Sequence, residues 1–292
     1  MKKFKILIII ILAWSVIMSA EDKKDYKFYN SNLENADYGS IVEDLKDCDV
    51  IFFGELHNNI IAHELELQLT KDLFEKRGGK LTLGAEMFES DNQLTIDEYF
   101  SDFYKTNKFE SDVRLWGNYE TDYKPIVEFA KEKNLKFIAT NIPRRYASMV
   151  FYGGFEALDK LSDRSKEYVA PRPIEFDPEL SCYKKMASMD MGMFTKKGGK
   201  KYFAEAQAVK DATMGYFISK NFEKGKLFIH YNGSFHSDDH VGIIWYLKKL
   251  KPELKIKTIT TIVEADINSP DKANIGKADF ILVVDEKAKT SY

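Results

Sequence analysis

Residues 49–63, DVIFFGELHNNIIAH, run from a segment that is apolar at every position between Val50 and Phe53 into a glutamate, two histidines and two asparagines. A strand without alternation is buried on both faces, which is the pattern of a parallel sheet covered by helices. Similar runs recur at KLTLGAEMF (80–88), LKFIATN (135–141), KLFIHYNG (226–233), IKTITTIV (256–263) and ADFILVV (278–284).

Helical patterns fill the intervals. IIAHELELQLTKDLFEK follows the start signal Asn58-Asn59, and KPIVEFAKEKN places Pro125 in its first turn. YFAEAQAVKDATMGYFISKNFEKG closes on Gly225, and DDHVGIIWYLKKLKP stops at Pro252. The alternation predicts one α/β domain over residues 21–292, with a mostly parallel sheet flanked by helices. A helical insertion of about 146–200, between the third and fourth of these strands, holds APRPIEFDPEL, MASMDMGMF and KKGGKK. An insertion of that length is either a lid or a packing extension.

The 292 residues carry 43 Lys and Arg against 46 Asp and Glu, so no basic surface suggests nucleic acid as a partner. At the N-terminus, Lys2, Lys3 and Lys5 precede ILIIIILAWSVIM, which ends at Ser19-Ala20. This reads as a signal peptide over 1–20 and an exported, periplasmic or cell-surface protein, with an uncleaved signal anchor as the alternative. After cleavage no stable membrane span is expected. Cys48 and Cys182 form no disulfide framework and read as two buried thiols, with a bridge in an exported chain as the alternative.

All five histidines fall in two groups, His57 and His63 here and His230, His236 and His240 in HYNGSFHSDDH. Ligands of open α/β sheets bind beyond the carboxyl ends of the strands. Glu55, His57 and His63 follow the first run, Glu86 ends the second, Asn141, Arg144 and Arg145 follow the third, and His236 and His240 follow the fourth. Two carboxylates and two imidazoles, Glu55, Glu86, His57 and His236, suit the activation of a water, and Glu55, His57 and His236 suit a divalent metal. His63 and His240 also fit helix-capping roles, and His230 fits a hydrogen-bonded core histidine. RLWGNYETDYKP (114–125) gathers Trp116, Tyr119 and Tyr123; a phenolate can ligate ferric haem, and an indole offers a flat apolar wall. Gln207, Asp211 and Met214 share helical spacing. No G-x-G-x-x-G, Walker loop, G-x-S-x-G or C-x-x-C is present, which disfavours nucleotide cofactors and a serine nucleophile.

GELHNN with His63, GAEMFESDNQ, RLWGNYETDYKPI, FIATNIPRR, AQAVKDATMGYFI and NGSFH, in this order from about residue 50 to 245, resemble the ChaN-like haem-binding uptake family of the Tiki/erythromycin-esterase superfamily. The resemblance implies an exported protein in haem or iron uptake that binds haem through a tyrosine, Tyr119 or Tyr123, and a homodimer able to hold haem pairs. A haem so held is expected to lie against Trp116 and the insertion methionines, with Arg144 or Arg145 at the propionates. The resemblance also implies a polar site of Glu55, His57, Glu86 and His236, supported by His63, Asn141, Gln207, Asp211 and His240. Through the wider superfamily it leaves open a hydrolase of esters or peptides, with or without a metal. Lys210 stands where the family pattern leads one to expect arginine, and the signal segment lacks a lipoprotein cysteine.

Overall fold

A computed structural model describes residues 25–186 and 202–292; the expected signal peptide and the insertion's Met-rich stretch beyond Met186 lie outside the described residues. Seven strands form one sheet in the order β1-β7-β6-β2-β5-β3-β4. They are β1 (Tyr26–Asn30), β2 (Val50–Glu55), β3 (Leu81–Glu89), β4 (Lys136–Asn141), β5 (Leu227–Gly233), β6 (Ile256–Glu264) and β7 (Phe280–Asp285). β2 through β7 pair in parallel, and β1 runs antiparallel to β7 at the edge.

The six runs of continuous apolar sequence are the six parallel strands. In β2, Ile51 and Phe53 join a core on one face while Val50 and Phe52 join a core on the other. That two-sided burial removes alternation from the sequence. YKFYN reads differently because β1 is a short edge strand buried at only two of its positions, so it carries no such run. With β1 counted, the insertion falls between the fourth and fifth strands.

One face is covered by α1 (Tyr38–Leu45), α2 (Ile60–Lys76), α3 (Gln93–Phe100), α4 (Thr106–Asp112) and α5 (Lys124–Glu132). α6 (Arg144–Gly153) starts the insertion, which also contains α7 (Asp163–Lys166). α8 (Phe203–Asn221) and α9 (Ile243–Leu250) cover the second face through Met214, Ile218, Ile243, Ile244 and Leu247. Asp37 accepts from Ser40 N to cap α1, and Asn59 accepts from Ala62 N to cap α2. No helix among the described residues is long and apolar enough to cross a membrane. Cys48 and Cys182 are buried free thiols.

Register brings the functional ends together. β2 pairs β5 with Glu55 beside Gly233, and the β3–β4 pairing shifts register between Ala85 and Glu89. That irregularity lies at Glu86, where a bulge bends a strand and re-aims its side chains.

Candidate functional site

A cavity of about 850 Å³ opens over the carboxyl ends of β2, β3, β4 and β5, within the range of roughly 300–1,000 Å³ common for small-molecule sites. Its floor contains Glu55, His57, Glu86, Asn141 and His236, from four separate segments.

The first polar system on the floor is Glu86, His236 and Asp211. His236 Nδ1 is 2.5 Å from Asp211 Oδ1, and its Nε2 is 3.2 Å from Glu86 Oε1. Tyr183 donates to Asp211 Oδ2 at 2.7 Å, and Gly233 N donates to Glu86 Oε2 at 2.9 Å. Burial alone would lower the His236 pKa, but the flanking Glu86 and Asp211 outweigh it and hold the imidazole up to about 10. Burial works against the Glu86 carboxylate too, and His236 beside it brings its pKa below the ordinary range. The ring is therefore an imidazolium clamped between two acidic side chains.

The second system is Glu55 and His57. His57 Nδ1 lies 2.6 Å from Glu55 Oε1, and Tyr123 donates to the same oxygen at 2.8 Å. Against the effect of burial, hydrogen bonds from His57 and His63 draw the Glu55 carboxyl down to about 2. Burial opposes protonation of His57, and the Glu55 bond with the nearby Glu86 raises its pKa overall. The His57 side chain is 34% exposed, and among the described residues its Nε2 makes no hydrogen bond. Gly233 permits this placement, because a Cβ there would sit 2.8 Å from His57 Nε2.

His63 does not reach the cavity. It lies below it, with Nδ1 3.1 Å from Glu55 Oε2 and 3.2 Å from Glu66 Oε2, and Nε2 3.4 Å from Asp122 Oδ2. Burial would depress its pKa, yet Glu55 and Glu66 hold it up to about 11. Burial and the Glu55 charge push Glu66 up to about 8. The metal set expected from sequence, Glu55, His57 and His236, is corrected here. Among the described residues, the three-residue group whose donors all lie within 4.8 Å of one another is Glu55, His63 and Glu66. Both His236 nitrogens already face carboxylates, and His57 Nδ1 is taken by Glu55.

Trp116 forms a wall, edge to face with His57 at 4.7 Å between ring centroids. Leu115, Ile142, Met186, Phe203 and Phe235 add apolar lining, and Arg144, Lys210 and Gln207 stand around it. Arg144 makes no ion pair among the described residues and also borders a second depression shared with Trp116 and Tyr292. Asn141 donates to the Glu86 carbonyl at 3.0 Å.

The other expected residues lie elsewhere. Tyr119 and Tyr123 occupy a π-helical turn, Tyr119–Tyr123, and are 4% and 3% exposed; neither lines the cavity. The Tyr119 hydroxyl is buried among Phe88 and Phe109 with no hydrogen-bond partner among the described residues, and burial raises its pKa far above the usual phenol value. Arg145 points away, paired with Asp91 at 2.7 Å and stacked on Tyr146. His240 is a correction to its expected supporting role: it bonds Asp279 at 3.0 Å, outside the cavity lining, in a turn that ends before α9. His230 is a core histidine bonded to Thr140 and Asn232, and burial lowers its pKa to about 4. Sequence reading missed Arg114, Phe203, Phe235, Tyr292 and the inner pair Glu66 and Asp122. Glu66 carried a usable signal, since it follows His63 by one helical turn. The apolar residues and the distant Tyr292 carried none.

The family model described as haem-binding uptake, Tiki superfamily, ChaN matches residues 41–247. No curated protein matches the chain. Among solved structures, that of ChaN from Campylobacter jejuni, which shows cofacial heme binding, aligns at TM-score 0.66 and 16% identity, covering 90% of this chain and 98% of that one. An erythromycin esterase variant in its open conformation aligns at TM-score 0.50 and 11% identity, over 91% and 98% of the two chains. A Bacillus cereus protein aligns at 0.50 and 10%, over 84% and 90%. These likenesses share the α/β architecture.

Proposed function

The chain belongs to the haem-binding uptake family of the Tiki superfamily, the ChaN family, and from that premise we propose that it is an exported haem-binding protein whose ring enters the cavity beside Trp116. The lining suits haem. A flat apolar ring requires walls such as Trp116, Leu115, Ile142 and Phe203, and its carboxylates require cations such as Arg144 and Lys210.

The observation that carries the reading is the His57 imidazole. Haem iron is held by His, Cys, Met or Tyr side chains, and the bound group supplies that iron. Of the two histidines on the cavity floor, His236 has both nitrogens against carboxylates, while His57 has Nδ1 fixed by Glu55 and, among the described residues, Nε2 without a bond. A carboxylate behind an imidazole fixes its tautomer and raises its basicity toward a metal. Coordination by Tyr119 or Tyr123, expected from the sequence, requires either ring to leave the core. A second copy facing the open side would bring two rings together, a cofacial arrangement like that of the Campylobacter jejuni protein.

Titrating the purified protein with haemin tests the reading. The expected result is a saturable Soret change at one haemin per chain that is weakened in His57→Ala. Absence of any change beyond free haemin would eliminate it. Sedimentation with and without haemin tests the pairing.

The Glu55–His57 dyad supports a second reading, because an imidazole backed by a carboxylate is also a general base for water. An ester and peptide panel distinguishes the two. Turnover abolished in His57→Ala, in a chain indifferent to haemin, establishes hydrolysis instead.

A further inference from the structure

Beneath the cavity floor, His63 is surrounded by acceptors. Its Nε2 faces the His57 carbonyl at 3.3 Å and Asp122 Oδ2 at 3.4 Å. Asp122 Oδ2 is itself held by Asn118 and Ser291, each donating at 2.6 Å. Both neighbours of Nε2 only accept, so the proton of a neutral imidazole belongs on Nε2. Nδ1, which carries a proton in the metal-free cluster, points between Glu55 Oε2 at 3.1 Å and Glu66 Oε2 at 3.2 Å, and a bound cation would take that proton's place.

Glu55 is 1% exposed and Glu66 is fully buried. Glu55 Oε2 faces the His63 ring at 3.1 Å, and among the described residues Glu66 Oε1 has no hydrogen-bond partner. Buried carboxylate oxygens left this way are costly unless paired or bound to a metal.

We propose that Glu55, His63 and Glu66 form an inner binding site for a divalent first-row transition-metal ion, separate from the cavity above. Metal bonds of about 2.0–2.2 Å at tetrahedral to octahedral angles place neighbouring donors about 2.8–3.6 Å apart. The two spacings at Nδ1 fall within that interval. One imidazole with carboxylate oxygens suits Zn²⁺ or Mn²⁺ rather than a soft ion. Asp122 at the far ring nitrogen completes a carboxylate–histidine–metal arrangement, which fixes the tautomer that the site requires.

The ion acts on the cavity through Glu55. One oxygen of this carboxylate belongs to the inner site, and the other holds His57 Nδ1 and the Tyr123 hydroxyl. The inner site therefore positions the imidazole above it without touching any cavity ligand.

Chelator-stripped protein, free of haemin, is titrated by calorimetry with Zn²⁺ and separately with Mn²⁺. The expected result is one ion per chain, a thermal midpoint that rises with ion concentration, and proton release on binding. Glu66→Gln should weaken binding at least tenfold, while His57→Ala retains one ion. Absence of stoichiometric binding, or loss in His57→Ala with retention in Glu66→Gln, overturns the proposal. If Glu66→Gln does not fold, X-ray absorption on the zinc-loaded wild type decides: one imidazole among oxygens supports the inner site, and two or more imidazoles place the ion in the cavity. A chain that binds zinc but not haemin sinks the haem reading alone; one that binds haemin but no metal sinks this one alone.

Discussion

Asp211 Oδ1 lies 2.5 Å from His236 Nδ1, tying α8 to the turn after β5 across 25 residues of chain. Removing the Asp211 charge leaves the imidazolium with Glu86 as its remaining carboxylate and weakens the bond from the Tyr183 hydroxyl. Asp211→Asn should therefore cost about 3 kcal/mol, the scale for breaking a buried ion pair. Urea denaturation measures it. A cost below about 0.5 kcal/mol would mean that Asp211 contributes little to holding His236.

The same clamp sets a pH dependence. The folded pKa of His236 is about 10 against an ordinary 6.5, so its contribution is complete below about pH 6.5 and is lost as pH rises through 10. Glu86 has the opposite sign. Its folded pKa lies below the ordinary 4.5, so its contribution is present above that value and is lost on acidification. The clamp's contribution to stability is therefore complete between about pH 4.5 and 6.5. Melting temperatures recorded across pH should fall on the alkaline side, and His236→Gln should flatten that limb.

Trp116 is the largest flat surface facing the cavity. Trp116→Ala should weaken haemin binding by about 1.5–3 kcal/mol, roughly tenfold to a hundredfold. Soret titration reads the change. An unchanged affinity would place the ring against another wall.

Two tyrosines four residues apart should respond in opposite directions. Tyr119→Phe deletes a buried hydroxyl with no partner among the described residues and should be neutral or stabilising by about 1 kcal/mol, with the haemin spectrum unaltered. Tyr123→Phe removes the donor to Glu55 Oε1 and should cost about 1–2 kcal/mol. Denaturation curves and haemin spectra of the pair check both statements. A spectrum altered by Tyr119→Phe would show that this ring leaves the core to meet iron.

Gly233→Ala introduces a methyl 2.8 Å from two atoms of the His57 ring. Displacing that ring should cost about 1–3 kcal/mol of stability. It should also weaken haemin binding, since the imidazole no longer holds its place beside Trp116. Equal haemin affinity in this variant would argue against His57 as the iron-facing group.

Much of this architecture could be read from residue order, and the reasons are physical. A run such as VIFF has no polar face because α2 and α9 cover opposite sides of β2, so the parallel strands announced themselves. Glu55, His57, Glu86 and His236 were legible because a parallel sheet delivers its strand ends to one edge. Asn59 was legible because an N-cap is a local event. The orientation of Tyr119 and Tyr123 was not. Nothing in RLWGNYETDYKP distinguishes an aromatic that lines a cavity from one that packs on Phe88, because both are apolar and both lie near the same helix start. The inner cluster was only half visible, since Glu66 sits one turn from His63 but Asp122 comes from a distant turn. Tyr292 reaches the rim through the pairing of Thr290 with Asn59, a tertiary contact with no local signature.

β1 shields more than the small core it shares with β7. Phe280–Asp285 is apolar at five of its six positions, and Tyr26–Asn30 occupies its outer hydrogen-bonding edge. Cleavage that removed those five residues would present a bare β7 margin to other molecules, a ready template for intermolecular strand pairing. Proteolytic trimming near Asn30 would then reveal itself first as aggregation, before any change in what the opposite end of the sheet binds.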